Sequence, residues 1–257
     1  QWQQWLARNR WNERAEREVA EALNGLPARP LLSVVMPAYN TPPEIMDAAV
    51  RSLAAQVYGN WELCVTDDGS QDRRGVEVLR SWAAKDERIR VALRPLNGGI
   101  SAASNDCLAM ARGDFIVLMD HDDLLTPDAL AEVTLAFASD QEVDFVYSDE
   151  DRISRGGTLV EPSFKPPFSP ELLLATCYVN HISAIRTALA RRLGGFRGRF
   201  DGAQDHDLYL RVGREMRKCV RIPKILYHWR ILPGSESNTA NKRCLSQGAA
   251  AVQRHLR

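Results

Sequence analysis

Apolar residues recur along this chain in two rhythms. Short, largely apolar runs stand at Leu31-Leu32-Ser33-Val34-Val35-Met36, Trp61-Glu62-Leu63-Cys64-Val65-Thr66, Ile89-Arg90-Val91-Ala92-Leu93 and Phe115-Ile116-Val117-Leu118-Met119, the last of them wholly apolar. Each run predicts a strand, and the wholly apolar run over 115–119 predicts one buried in a parallel sheet. Between them the spacing changes to three and four, at Ile45, Met46, Ala49, Val50 and Leu53, at Val76, Leu79 and Trp82, and at Ala103, Cys107, Leu108 and Ala111. That is the period of a helix with one apolar face. Strand–helix alternation predicts a parallel, doubly wound α/β half ending near Asp122. Thr41 and Glu44 stand at capping-box spacing with Pro42 and Pro43 between them, and Thr126-Pro127 reads as an N-cap followed by a first helical residue.

The second half has a different grain. Asp144-Phe145-Val146-Tyr147 predicts a strand, and Ser148-Asp149-Glu150-Asp151 after it reads first as a solvated acidic loop. Gly156-Gly157 predicts a hairpin turn into Leu159-Val160. Phe164-Lys165-Pro166-Pro167-Phe168-Ser169-Pro170 carries three prolines that remove donors, so it is expected on the surface as the lip of a cleft. A short helix over 171–175, a strand over 179–185, a turn at Gly194-Gly195, a helix through Leu208, Leu210 and Val212, and a last strand over 220–229 broken by Pro223 follow. Residues 233–241 are small and polar and are expected to be mobile, and a helix closes the chain. At the start, residues 1–24 predict one helix stopped near Gly25-Leu26-Pro27. Its Trp2, Trp5, Leu6 and Trp11 either pack on the domain or dock a neighbouring domain or membrane face. The resulting map is a helical extension over 1–30, one domain over 31–257 with halves 31–122 and 123–240, and a C-terminal helix over 241–257.

Composition narrows the function. Lys plus Arg balance Asp plus Glu at 33 each, which excludes the basic excess of a nucleic-acid binder. No apolar run reaches the length of a membrane span, and no secretory signal opens the sequence. The chain starts at Gln1, as expected of a segment of a longer protein. The five cysteines form no C-x-x-C pair, which fits a reducing compartment better than a disulfide framework or a zinc site.

The candidate chemistry sits at strand ends. Asp120-His121-Asp122-Asp123 follows the fourth strand, and ligands of open α/β sheets bind at that edge. Carboxylates there can hold a hard divalent cation against an anionic ligand, or simply make an acidic turn. Asp67-Asp68-Gly69-Ser70 repeats the pattern after the second strand. Tyr39-Asn40 lies in a strand-to-helix turn, where the ring either joins the core or stacks on a base. Asn97-Gly98-Gly99 opens a helix whose amides could approach phosphate, although it has neither the G-x-G-x-x-G nor the P-loop spacing. Asp205 and Asp207 are either first-turn helix acids or carriers of chemistry.

Taken together and in order, Pro37-Ala38-Tyr39-Asn40, Asp67-Asp68-Gly69-Ser70, Asn97-Gly98-Gly99, Asp120-His121-Asp122, Gly194-Gly195-Phe196, Gln204-Asp205-His206-Asp207-Leu208 and Tyr227-His228-Trp229-Arg230 resemble the inverting glycosyltransferases of family 2, over roughly residues 31–235. The Lys-Pro-Pro-Phe-Ser-Pro stretch and the Tyr-His-Trp-Arg ending look most like bacterial enzymes that build O-antigen, capsule or other surface polysaccharides. The resemblance implies an α/β GT-A fold: a Rossmann-like nucleotide-binding half, its central sheet mostly parallel, fused to a smaller mixed acceptor-binding half. It implies Pro37 and Tyr39 flanking the base, Asp67 (with Asp68 as the alternative) bonding it, and Asn40, Asn97, Gly98, His121 and Arg230 around the rest of the donor. Asp120 would contact ribose or sugar, Asp122 and His228 would hold Mn²⁺ or Mg²⁺, and Asp205 would be the catalytic base. Asp149, Glu150, Asn180, His181 and Gln204 are the candidates for acceptor contact. Gln204 departs from the Glu that many relatives carry before the base. The implied partners are a nucleotide-sugar donor, UDP first and dTDP next, and a glycan or lipid-linked glycan. Other domains of a longer chain and the inner face of the plasma membrane are further candidate partners, and the implied location is cytoplasmic or peripheral at that face. The rival readings are a silent nucleotide-sugar-binding module and a nucleotidyltransferase.

Overall fold

The computed structural model describes residues 2–9, 11–154, 156–231 and 242–256. At the N-terminus two helices stand where one was expected, α1 (Trp2–Asn9) and α2 (Glu13–Asn24). The break comes from Asn12, whose extended backbone lets its side chain accept from the amides of Arg14 and Ala15. The tryptophans meet the domain: Trp2 stacks on Trp5 and donates to the Leu159 carbonyl, Trp5 meets Phe164 edge-on, and Trp11 packs against the core.

Four strands form the expected parallel set: β1 (Leu32–Ala38), β2 (Trp61–Asp67), β3 (Ile89–Leu93) and β4 (Phe115–Leu118), in the order β3-β2-β1-β4. Successive side chains of a strand point to opposite faces. Leu32, Val34 and Met36 of β1 and Phe115 and Val117 of β4 therefore enter one apolar cluster, while Val35, Ile116 and Leu118 enter another across the sheet. Burial on both faces explains why β1, β2 and β4 read as largely apolar runs, whereas β3 is the outer strand and mostly half-buried, with Leu93 exposed. The crossovers are α3 (Pro43–Ala54), α4 (Arg74–Ala83) and α5 (Ile100–Met110).

Two predicted helix starts are corrected. No side chain caps α3; Thr41 turns instead to His121, its hydroxyl 2.9 Å from the ring Nδ1. Leu124–Leu125 is a short strand, β5, and α6 begins only at Ala129 (Ala129–Ala138), with Thr126 bonded to Asp128. Thr126 continues that strand's pairing, its amide donating to the Leu226 carbonyl, so the helix starts after it.

The second half extends the same sheet. β6 (Val143–Ile153) is longer than expected and absorbs the whole Ser148–Asp151 cluster, which is buried in a strand and is no solvated loop. The hairpin at Gly157 leads to β7 (Leu159–Ser163), and α7 (Pro170–Ala175) follows. β8 (Ser183–Arg186) runs antiparallel between β4 and β6. Past α8 (Thr187–Arg192) and a 3-10 turn at Gly198–Phe200 comes α9 (Gln204–Glu215). β9 (Lys218–Arg230) lies parallel to β6, with a register shift opposite Pro223 in place of a break, and pairs antiparallel with β5. α10 (Lys242–His255) packs on α9. The stretch expected to be mobile, 233–241, lies outside the described residues. Among the described residues no helix is long and apolar enough to cross a membrane.

Candidate active site

The ends of β1 and β2 lie side by side, Ala38 in register with Asp67. Tyr39 follows with its ring 40% exposed, so it is not a core residue. Asn40 stands at φ +48° and its side-chain Oδ1 accepts from the amides of Gln71 and Asp72, tying the first turn to the second. Asp67 is buried and accepts from the Ser70 amide (3.0 Å) and hydroxyl, with Arg73 at 3.6 Å. Gly69 is required there: its φ is +72°, and a Cβ would come within 2.7 Å of the Leu96 carbonyl carbon.

Asp68 does a different job. Its two oxygens accept from the amides of Gly98 and Gly99, each at 2.9 Å, and the Arg94 guanidinium lies 2.9 Å away. The Gly-rich turn thus gives its amides to a protein carboxylate, and the expectation that they meet phosphate is corrected. Asp68 pins the turn, and Asn97 accepts from the same Gly99 amide at 3.2 Å.

Beyond β4, the carboxylate oxygens of Asp120, Asp122 and Asp123 lie within 4.8 Å of one another. Their surroundings separate them. Asp123 is fully buried, accepting from the Tyr227 hydroxyl and the Arg230 amide, both at 2.7 Å. Burial and its acidic neighbours push its carboxyl well above the ordinary range. Asp120 takes the Tyr227 oxygen on its amide and sits 3.2 Å from His181 Nε2; although burial opposes its charge, His181 holds its carboxyl below the ordinary range. Asp122 has no hydrogen-bonding side chain on its carboxylate among the described residues, and burial with the nearby Asp120 charge raises it. Three clustered carboxylates, two of them destabilised by burial and mutual repulsion, are a donor set that a hard divalent cation would suit. His228 comes to this turn through the β5–β9 pairing, opposite Leu124. Its Nδ1 is 2.5 Å from Asp151 on the neighbouring strand, which leaves Nε2 for a ligand. Arg230 donates its Nε to the Asp122 carbonyl at 2.7 Å, and its terminal nitrogens are not used in that bond.

Asp205 enters from the first turn of α9. With Asp120, His181, Pro37, Gln204 and Phe196 it lines one pocket at the carboxyl edge of β1 and β4. Burial pushes the Asp205 carboxyl up to about 6, against the pull of His181. His181 is pushed up to about 9: burial opposes its charge, and the carboxylates of Asp120, Asp205 and Asp123 outweigh it. Gln204 donates to Asp205 at 3.0 Å and accepts from the Gly202 amide at 2.9 Å. Both ends of its amide are engaged within the loop, so it orients Asp205.

Two acceptor candidates are relocated. Asp149 is buried and bound by Arg221 at 2.8 Å and by the Lys165 amide; Glu150 is ion-paired with Lys165 at 2.9 Å. Lys165 is itself buried, and its ammonium also donates to the carbonyls of Val179 and His181 at 2.7 and 2.8 Å. The proline-rich stretch is therefore part lip and part anchor. It fixes the loop at Asn180, which stands at φ +33° and accepts from the Tyr209 hydroxyl. His181 as the counter-ion of Asp120 and Asp151 as the partner of His228 were missed in those roles. The signal for Asp151 lay in the long β-compatible run 143–153; nothing local marks the His181 contact, which joins residues far apart in sequence.

Residues 33–194 match the family model described as Glycosyl transferase family 2. The chain is 36% identical over 242 residues to the O-antigen biosynthesis protein RfbC of Myxococcus xanthus, covering 92% of this chain and 19% of that protein. It spans less than a third of the length of each of the first curated relatives it matches. Among solved structures it is similar to S. aureus TarS 1-349 in complex with UDP (TM-score 0.69, 20% identity, 88% of this chain and 65% of that one). It is similar also to the mannosyltransferase PcManGT of Pyrobaculum calidifontis in complex with GDP-Man and Mn²⁺ (TM-score 0.68, 19% identity, 93% and 70%). The mixed, mostly parallel sheet is that of a GT-A fold.

Proposed function

The chain belongs to glycosyl transferase family 2, and we propose that it moves a sugar, with inversion, from a nucleoside-diphosphate sugar to a hydroxyl of a glycan or lipid-linked glycan in surface-polysaccharide synthesis. The observation that carries this is the pocket shared by Asp120, His181 and Asp205. A carboxylate whose pKa is pushed up to about 6 is suited to take a hydroxyl proton near neutrality. Asp205 is the base in this reading, and Gln204 orients it. With one base and no nucleophile assigned to the opposite face, a single displacement inverts the anomeric carbon.

The exposed Tyr39 ring and the buried Asp67 beside it suit a pyrimidine, UDP first and dTDP next; the structural neighbour TarS is in complex with UDP. Asp120 faces ribose or sugar, and Arg230 offers its terminal nitrogens to phosphate. Asp122 and His228 would hold Mn²⁺ or Mg²⁺, which would supply Lewis-acid stabilisation of the departing diphosphate. Asp123 shapes that site from inside, through Tyr227 and Arg230. A cytoplasmic position, peripheral at the inner face of the plasma membrane, belongs to the same reading.

A thermal-shift panel of UDP, dTDP, GDP, CMP and NAD, each with and without Mn²⁺, tests it. A ligand that binds only the native state raises its stability by mass action. The expected result is a Mn²⁺-dependent rise with UDP or dTDP that shrinks in Asp122→Ala. No shift with any nucleotide would sink the reading. Asp151→Asn tests the metal assignment separately. It should raise the Mn²⁺ needed for half-maximal UDP stabilisation by about 10–100-fold, because the histidine loses its orienting partner. An unchanged requirement would remove His228 from the ligand set.

A further inference from the structure

A second cavity, of about 290 Å³, opens between α9 and α10. Its charged lining is Arg197, Arg211, Arg214 and Arg254 against a single carboxylate, Asp207, with His255, whose pKa burial and the Arg214 charge lower, beside them. Asp207 follows Asp205 by two residues, about 200° around a helix, so this cavity lies on the side of α9 turned away from the candidate base.

The one carboxylate is already spent. Asp207 binds Arg211 at 2.6 Å and Arg197 at 3.5 Å. Arg211 gives its remaining donors to the carbonyls of Leu193 and Gly195. Burial lowers its pKa, and the charges of Arg197 and Arg199 push the same way. Glu215, the next acid along α9, is turned to Arg192. Among the described residues two guanidiniums remain: Arg214 reaches only the His255 carbonyl, at 3.4 Å, and Arg254 makes no ion pair or hydrogen bond. In a chain of zero formal charge this is a local excess of cations around a concave space, not a consequence of composition.

We propose that this cavity is a second ligand site, specific for a phosphate ester. Planar guanidiniums bind phosphate oxygens in pairs. The volume is close to the lower end of small-ligand sites, about 300 Å³, so it takes a phosphate together with a small headgroup. The phosphate comes either from a soluble metabolite or from a lipid headgroup. The proposal does not depend on the donor assignment.

Inorganic pyrophosphate binding, measured by calorimetry with EDTA present to remove any metal that would hold a diphosphate at the donor site, is the first arm. Sedimentation with phosphatidylcholine vesicles, with and without phosphatidic acid, is the second. Both use the unaltered chain and the double variant Arg214→Ala/Arg254→Ala, whose side chains are exposed. Pyrophosphate affinity should fall about tenfold or more in the variant and weaken with salt, while the UDP thermal shift stays. Vesicle binding that requires phosphatidic acid and is lost in the variant identifies a lipid source; pyrophosphate binding without vesicle binding identifies a soluble one. Equal binding by variant and parent in both arms, or binding in neither, overturns the site. Loss of the UDP shift with the cavity arms intact would overturn the donor reading alone.

Discussion

Asp205→Asn is expected to lower sugar transfer about 10²–10⁴-fold, the usual worth of a positioned general base, while the UDP-dependent thermal shift is kept. The two changes separate because Asp205 sits in the pocket with Asp120 and not among the groups that meet the base. Its pKa supplies a second readout. Burial puts the folded-state value at about 6, above the ordinary aspartate value. Transfer by the parent should therefore rise tenfold per pH unit below about 6 and level off above it, as the proton leaves the base. The residual rate of Asp205→Asn should lack that limb. Linkage fixes the sign on stability. A carboxyl with a raised folded pKa favours the fold at low pH, and that benefit is lost as pH rises through the folded value. At pH 7 the charged Asp205 is a cost to the fold, so the amide variant should melt no lower than the parent. A variant that retains full transfer, or a pH limb that survives the substitution, would move the base to another residue.

Much of the first half was legible because its physics is local. β1, β2 and β4 are buried on both faces, so they read as apolar runs, and each ends in a turn rich in polar side chains. The position of Asp67, Asp68 and Asp120–Asp123 at one sheet edge followed from that pattern. What each carboxylate does there was not legible. Asp68 is set apart from Asp122 by the Gly98 and Gly99 amides and the Arg94 guanidinium in front of its oxygens, all brought there by β3 and the loop after it. The acidic run 148–151 misled for a related reason. Four polar residues suggest solvent, but three of them find distant cations or a histidine: Arg221 for Asp149, Lys165 for Glu150 and His228 for Asp151. Long-range pairing turns a loop signal into a buried strand. The Thr41 and Thr126 caps failed similarly, each hydroxyl finding a partner other than the helix amide.

Lys165→Ala carries the largest expected loss of stability, about 3–5 kcal/mol, the usual cost of breaking a buried pair from one side. Lys165 lies at 4% exposure and Glu150 at 7%, so the carboxylate left behind has little water to turn to. Burial lowers the lysine pKa, and the Glu150 charge opposes that fall, so the ammonium and the carboxylate depend on each other. Removing the ammonium also orphans the carbonyls of Val179 and His181. Lys165→Met combined with Glu150→Leu removes both charges and restores apolar volume, which is often near neutral at buried pairs. Here it should recover only part of the loss, because the two carbonyls stay without a donor. Urea melts of the three proteins measure both steps. The same loop delivers His181 to Asp120 at 3.2 Å, so the double variant should fold yet transfer sugar more slowly than the parent. A single variant as stable as the parent would mean that water already reaches Glu150, and the anchor assigned to the proline-rich stretch would fall with it.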